Sequence, residues 1–188
     1  MVSLTRLNLA KAKVLLVDDN QQSLDLLMQM LSGFGVRTVR LCRSAAEARA
    51  CMELEVFDLI VTDAEMPDED GYELSHSVRR KSDNPNFTAP VILVSSHTPL
   101  DKINRARDAG VNFVVRKPVA PATLLSRITW LARNTREFIA TETYCGPDRR
   151  FRNIPLCEGQ TERRADSIAL IAVPERAMSQ NEVDSLFG

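Results

Sequence analysis

The chain has 188 residues, with 24 lysines and arginines against 25 aspartates and glutamates, and 44% of it is hydrophobic. That length holds one ordinary domain of about 120 to 150 residues with something left over. A net charge of −1 excludes a generally basic nucleic-acid binder, and no run approaches the roughly 18 apolar residues of a membrane span.

The opening residues Met1 to Ala10 mix polar and apolar side chains and lack a signal-peptide core, so a cytoplasmic protein is expected. Lys13-Val-Leu-Leu-Val17 is a short apolar run, as in a strand buried on both faces of a parallel sheet. Leu24, Leu27, Met28 and Leu31 repeat at helical spacing, and Gly33 stops the helix. A strand over Arg37 to Leu41 and a helix from Ser44 to about Leu54 follow. Asp58 to Thr62 is the next strand, ending at Asp63, and Pro67 and Gly71 lead into a helix over Tyr72 to Lys81. Pro90 to Val94 is a fourth strand, followed by a helix near Leu100 to Ala109. Asn112 to Arg116 is a fifth, ending at Lys117-Pro118, before a last helix from about Ala122 to Phe138. The cysteines Cys42, Cys51, Cys145 and Cys157 fit neither a CxxC metal site nor a dense disulfide framework, so reduced thiols are expected.

Five βα units in succession predict an α/β fold, a doubly wound parallel sheet with helices on both faces. Functional groups in such sheets lie at the carboxyl ends of the strands. That rule selects Asp18 and Asp19 after the first strand, Asp63 after the third, Ser95 after the fourth and Lys117 after the fifth. A carboxylate can accept a phosphoryl group, and a neighbouring acidic pair suits Mg²⁺, which prefers oxygen ligands.

These pieces, Val17-Asp-Asp19, Asp63-Ala-Glu-Met-Pro67, Asp70-Gly71, Val91-Ile-Leu-Val-Ser95 and Lys117-Pro118, resemble the CheY-like receiver domains of two-component signalling over residues 11–138. The strand order 2-1-3-4-5 comes with the resemblance. So do the roles: Asp63 as phosphoacceptor, Asp18, Asp19 and the main-chain carbonyl of Glu65 with Asp63 around Mg²⁺, and Ser95 and Lys117 on phosphoryl oxygens. A histidine kinase is the implied phosphodonor, and no enzymatic activity beyond self-dephosphorylation is implied. Two positions depart from the family. Receivers usually carry Tyr or Phe three residues before the lysine, where this chain has Val114, with Phe113 beside it. Glu69 replaces a usually apolar loop residue.

Beyond the last helix the composition changes. All six basic residues after position 138 are arginines, whereas all five lysines precede it. Arg offers a planar fork of donors that binds two acceptors and stacks on rings. An acid-Arg-Arg unit occurs twice, as Asp148-Arg149-Arg150 and Glu162-Arg163-Arg164, with Tyr144, Arg152 and Asp166 nearby. Guanine presents O6 and N7 to such a fork and a flat face for stacking. Its N–H donors suit a carboxylate, and phosphates take the remaining Arg donors. Two guanines and two phosphates, as in cyclic di-GMP, answer the duplicated pattern over residues 139–173. The tail is net negative, which disfavours a long nucleic-acid backbone. A receiver with such a tail resembles the Cle family of cyclic di-GMP effectors. That resemblance implies action on the flagellar motor, surface attachment and recruitment to the flagellated pole.

The last segment, 174–188, holds a helix-start signal. Ser179 and Glu182 fit a capping box, and Met178 with Val183 fits a hydrophobic staple. Val183, Leu186 and Phe187 then share one face. This peptide resembles the N-terminal segment of the motor-switch protein FliM, which binds CheY. Docking back on the receiver, competition for CheY and direct engagement of FliM are all open at this point. The rival expectation is a conventional phosphorylation-driven response regulator or phosphate sink.

Overall fold

The computed structural model describes residues 8–134, 138–141, 144–148 and 180–187. Five strands, β1 (Lys13–Val17), β2 (Thr38–Cys42), β3 (Leu59–Asp63), β4 (Val91–Ser95) and β5 (Phe113–Arg116), form one parallel sheet in the order β2-β1-β3-β4-β5. The apolar runs have the expected cause, because every residue of β3 and β4 is buried. Strand order reverses at β1, where successive connections depart in opposite directions and open a crevice at the carboxyl edge.

The helices are α1 (Gln21–Gly33), α2 (Ala45–Leu54), α3 (Gly71–Arg80), α4 (Leu100–Asp108) and α5 (Pro121–Arg133). Leu24, Leu27 and Leu31 of α1 are buried as their spacing predicts, whereas Met28 is left exposed. Asn20 caps α1 through the amides of Gln22 and Ser23, and Ser44 caps α2 through that of Glu47. A reciprocal box between Asp70 and Glu73 starts α3. Cys42, Cys51 and Cys145 are free thiols, and burial pushes Cys42 up to about 12. Among the described residues, no helix is long and apolar enough to cross a membrane.

The helix expected to reach Phe138 ends instead at Arg133, where the Asn134 amide nitrogens of both main chain and side chain donate to the Trp130 carbonyl. Phe138–Ala140 is a strand, β6, paired antiparallel with β7 (Cys145–Pro147). The reason lies at the amino edge of the sheet. Phe138 packs on Phe87 at 4.8 Å between ring centroids, and the Arg79 guanidinium sits 5.3 Å from its ring. Gly110 and Gly146 let the hairpin close on the turn after α4. A Cβ on Gly110 would meet the Cys145 carbonyl at 2.7 Å, and one on Gly146 would meet the Gly110 Cα at 2.8 Å.

Arg79, at the end of α3, is only 1% exposed. Its guanidinium donates to the carbonyls of Gly110 (3.1 Å), Phe87 (2.6 Å) and Ala89 (2.8 Å), which precede β4 and β5. Burial pulls its pKa down to about 10. It therefore ties α3 to both strands and to the hairpin. Arg79→Leu keeps the bulk but leaves these buried carbonyls unpaired, so we expect a loss of about 3 kcal/mol in stability. Chemical denaturation measures it, and Mg²⁺ affinity at the far edge of the sheet should be unchanged.

Candidate functional site

The strand ends bring the acids together. Asp18 is 1% exposed and Asp63 is 7% exposed, while Asp19 is half-buried. Carboxylate oxygens of the three lie within 4.8 Å of one another, a donor set that fits one hard divalent cation. Lys117, from the end of β5, places its Nζ 2.8 Å from Asp63 and 3.2 Å from Asp18. The Lys117–Pro118 peptide is cis. An Asp18 carboxylate oxygen accepts from the Asn20 amide at 2.9 Å, which fixes it against the start of α1. Gly71 permits the closest approach in the site, since a Cβ there would sit 2.0 Å from the Asp63 carbonyl oxygen. Any side chain at this position would force α3 away from the acid.

Burial raises the pKa of Asp63, and the neighbouring Asp18 charge adds to the rise, while Lys117 opposes both. For Lys117, burial pulls downward, but hydrogen bonds and charge from Asp63 and Asp18 outweigh it and its pKa is raised. The lysine thus stays an ammonium between two acids. Glu65 has its side chain turned outward to Lys102 and toward His97, and the Lys102 contact holds its carboxyl below the usual range. Its expected contribution to a cation is a main-chain carbonyl, so this side-chain orientation does not bear on it.

Ser95, the last residue of β4, donates from Oγ to the His97 carbonyl at 2.6 Å and accepts from the His97 amide at 3.2 Å. Burial raises the Tyr72 phenol to about 12, against a lowering from the nearby Ser95 hydroxyl. Reading the sequence missed Tyr72, which sits next to Gly71 on α3 and is 3% exposed. Arg105 of α4 lies 4.5 Å over its ring and also pairs with Asp70 at 2.7 Å. A buried aromatic side chain of α3 therefore lies near Ser95, although the family position on β5 holds Val114. The available signal was the aromatic directly after Asp70-Gly71, one turn of chain from the acid loop.

The other departures have partners. Glu69 pairs with Arg49 of α2. Phe113 is core: it meets Trp130 edge-on at 5.2 Å and lies 5.1 Å beneath the Arg127 guanidinium. Tyr144 and Asp148 of the tail are described, and the Tyr144 hydroxyl donates to the Pro147 carbonyl at 2.7 Å. Arg149, Arg150, Arg152, Glu162, Arg163, Arg164 and Asp166 lie outside the described residues, as do Met178 and Ser179 of the expected cap and staple. A terminal helix, α6 (Gln180–Phe187), packs on β5 with Val183 fully buried.

A parallel sheet in this order, with acids, a hydroxyl and a lysine at its carboxyl edge, defines a receiver, a signalling domain that accepts a phosphoryl group on a carboxylate. The family model for the response regulator receiver domain matches residues 14–129, and the chain belongs to that family. It is 32% identical over 119 residues to the virulence sensor protein BvgS of Bordetella bronchiseptica, covering 62% of this chain but 10% of that protein. A 14.6 kDa protein of Leptolyngbya boryana is 34% identical over 117 residues, covering 62% of this chain and 87% of the relative. Among solved structures, the chemotaxis response regulator CheY4 of Vibrio cholerae superposes with a TM-score of 0.58 at 29% identity. That match covers 63% of this chain and 96% of CheY4. A response regulator receiver protein from Pseudomonas putida gives a TM-score of 0.58 at 27% identity, covering 64% and 97%.

Proposed function

We propose that this chain is a receiver phosphorylated on Asp63 whose arginine-rich tail binds cyclic di-GMP and that acts on the flagellar switch through FliM. The observation that carries the first part is Lys117, 2.8 Å from one acid and 3.2 Å from another at a three-carboxylate cluster. An Asp63 carboxylate oxygen attacks the phosphorus of a phosphohistidine on a kinase. The P–N bond breaks with its electron pair going to the imidazole, which takes up a proton, and an acyl phosphate remains. Asp18, Asp19, Asp63 and the Glu65 main-chain carbonyl would hold Mg²⁺, which supplies charge neutralisation to the incoming phosphoryl group. Lys117 pairs with one phosphoryl oxygen, and the Ser95 hydroxyl donates to another by giving up its bond to the His97 carbonyl.

The duplicated acid-Arg-Arg pattern supports the second part. The two proposed functions are assigned to separate segments: Asp63 lies at the carboxyl edge of the sheet, whereas the β6–β7 hairpin that precedes the arginine units lies at the amino edge, by Gly110 and Arg79. FliM is the proposed partner because the terminal segment is similar to its receiver-binding segment, with CheY as the protein competed for. Ligand binding to the tail alters engagement of the switch and so modulates rotation during surface attachment. The complete acid pocket equally favours a second reading, a conventional response regulator or phosphate sink. Calorimetry on the full chain with cyclic di-GMP, with and without beryllofluoride and Mg²⁺, separates them. Micromolar binding of cyclic di-GMP in both conditions is expected. Heat from beryllofluoride alone would leave the conventional regulator.

A further inference from the structure

The outer edge of β5 is occupied in an unusual way. Parallel sheets leave unpaired amides and carbonyls at an edge strand, and these need partners. Here one side chain supplies both. The Gln180 amide oxygen accepts from the Arg116 main-chain nitrogen at 2.7 Å, and its NH₂ donates to the Val114 carbonyl at 3.2 Å. The same NH₂ donates to Asp184 at 2.8 Å, so the glutamine is held by its own helix as well as by the strand.

Two more contacts complete the seat. Val183, three residues after Gln180, is 0% exposed, and Asp184, four residues after it, pairs with Arg127 of α5. Arg127 is itself anchored over the Phe113 ring. The seat therefore reads one helical face by three different means: an amide that fits a strand edge, an apolar side chain and an acid. It also abuts the acidic site, because Gln180, Arg116, Lys117 and Pro118 line one groove of about 300 Å³.

We propose that this seat is a recognition site for amphipathic helices of the order Gln-x-x-apolar-Asp, and that α6 is its intramolecular plug, displaced by such a helix on a partner protein. The proposal deepens the partner reading above by naming what guards the partner surface. It rests on contacts within one chain and needs neither cyclic di-GMP nor FliM. An eight-residue helix is marginal alone and forms when its apolar face docks, so its hold is modest. Being tethered, it meets the seat at an effective concentration on the order of 1 mM. A docking constant near 0.1 mM would keep the seat about nine-tenths closed, lowering the affinity of any competitor about tenfold. Asp184→Arg removes that advantage by placing two guanidinium groups together.

The test uses full-length chains and a fluorescent peptide of residues 176–188, read by anisotropy, with circular dichroism confirming that each chain is folded. The peptide is expected to bind the Asp184→Arg chain about tenfold more tightly than the wild type. Val183→Glu, which expels the plug by another route, should do the same. Arg127→Glu combined with Asp184→Arg restores the ion pair in reverse and should again exclude the wild-type peptide, and a Gln180→Ala peptide should bind all chains poorly. Equal affinity for wild-type and Asp184→Arg chains would overturn the plug, and indifference to Gln180→Ala would overturn the recognition rule. A concentration-dependent dimer lost on Asp184→Arg would assign the seat to a second copy and overturn the partner.

Discussion

Asp63→Asn is expected to abolish binding of beryllofluoride with Mg²⁺ and, in Mg²⁺-free buffer at neutral pH, to raise thermal stability. The loss follows from removing the carboxylate that the proposed chemistry makes the phosphoryl acceptor. The gain follows from electrostatics. Burial and the nearby Asp18 charge raise the pKa of Asp63 in the folded chain, so the folded state holds its proton more readily than the unfolded state does. Stability therefore falls as pH rises from the unfolded value, about 4, through the raised folded value, and the penalty is constant above it. Asn carries no such penalty. Lys117 is not orphaned by the change, because it keeps Asp18 at 3.2 Å. A gain of about 1 kcal/mol would raise the melting temperature by roughly 2–4 °C in a chain of this length. The advantage should fade as pH falls through about 4 and vanish about one unit lower, where both states of wild-type Asp63 are protonated. Mg²⁺ should stabilise the wild type more than the variant, since it binds only the folded cluster. Scanning calorimetry across pH, with and without Mg²⁺, measures all of this. A variant that melts below the wild type at pH 7 would show that the Lys117 contact outweighs the burial of the acid.

Replacing Arg149 and Arg163 together with lysine is expected to weaken cyclic di-GMP binding at least a hundredfold while leaving beryllofluoride binding intact. Lysine keeps the charge but lacks the planar fork and the stacking face. Two charge-assisted contacts at about 1.5 to 3 kcal/mol each account for the loss. A purely electrostatic tail would tolerate the change and would bind cyclic di-AMP and GTP equally well. Titrating the full chain and its double-lysine variant with all three nucleotides distinguishes a guanine-reading site from a cationic segment. The beryllofluoride control ties the result to the tail, since the proposed phosphoryl chemistry uses neither arginine.

Much of this receiver was legible before any coordinates. The alternation of fully apolar runs with helical spacing follows from strands buried on two faces and helices buried on one, so β3 and β4 announced themselves. Acids at the ends of such strands must converge, because parallel strands all present their carboxyl ends to the same edge, and Asp18, Asp19, Asp63 and Lys117 do so. What the sequence could not determine depends on contacts between distant segments. No local pattern marks Arg79 as buried, yet it is, because three carbonyls preceding β4 and β5 meet its guanidinium. Phe138 continues a helical pattern locally, and only the ring of Phe87 and the guanidinium of Arg79 give it a better place on β6. Tyr72 was a residue after a glycine until α3 buried it near Ser95. The terminal helix was recognisable from its own spacing, since amphipathicity is a local property. Its seat was not, since a strand edge open beside Arg127 exists only once the sheet has formed.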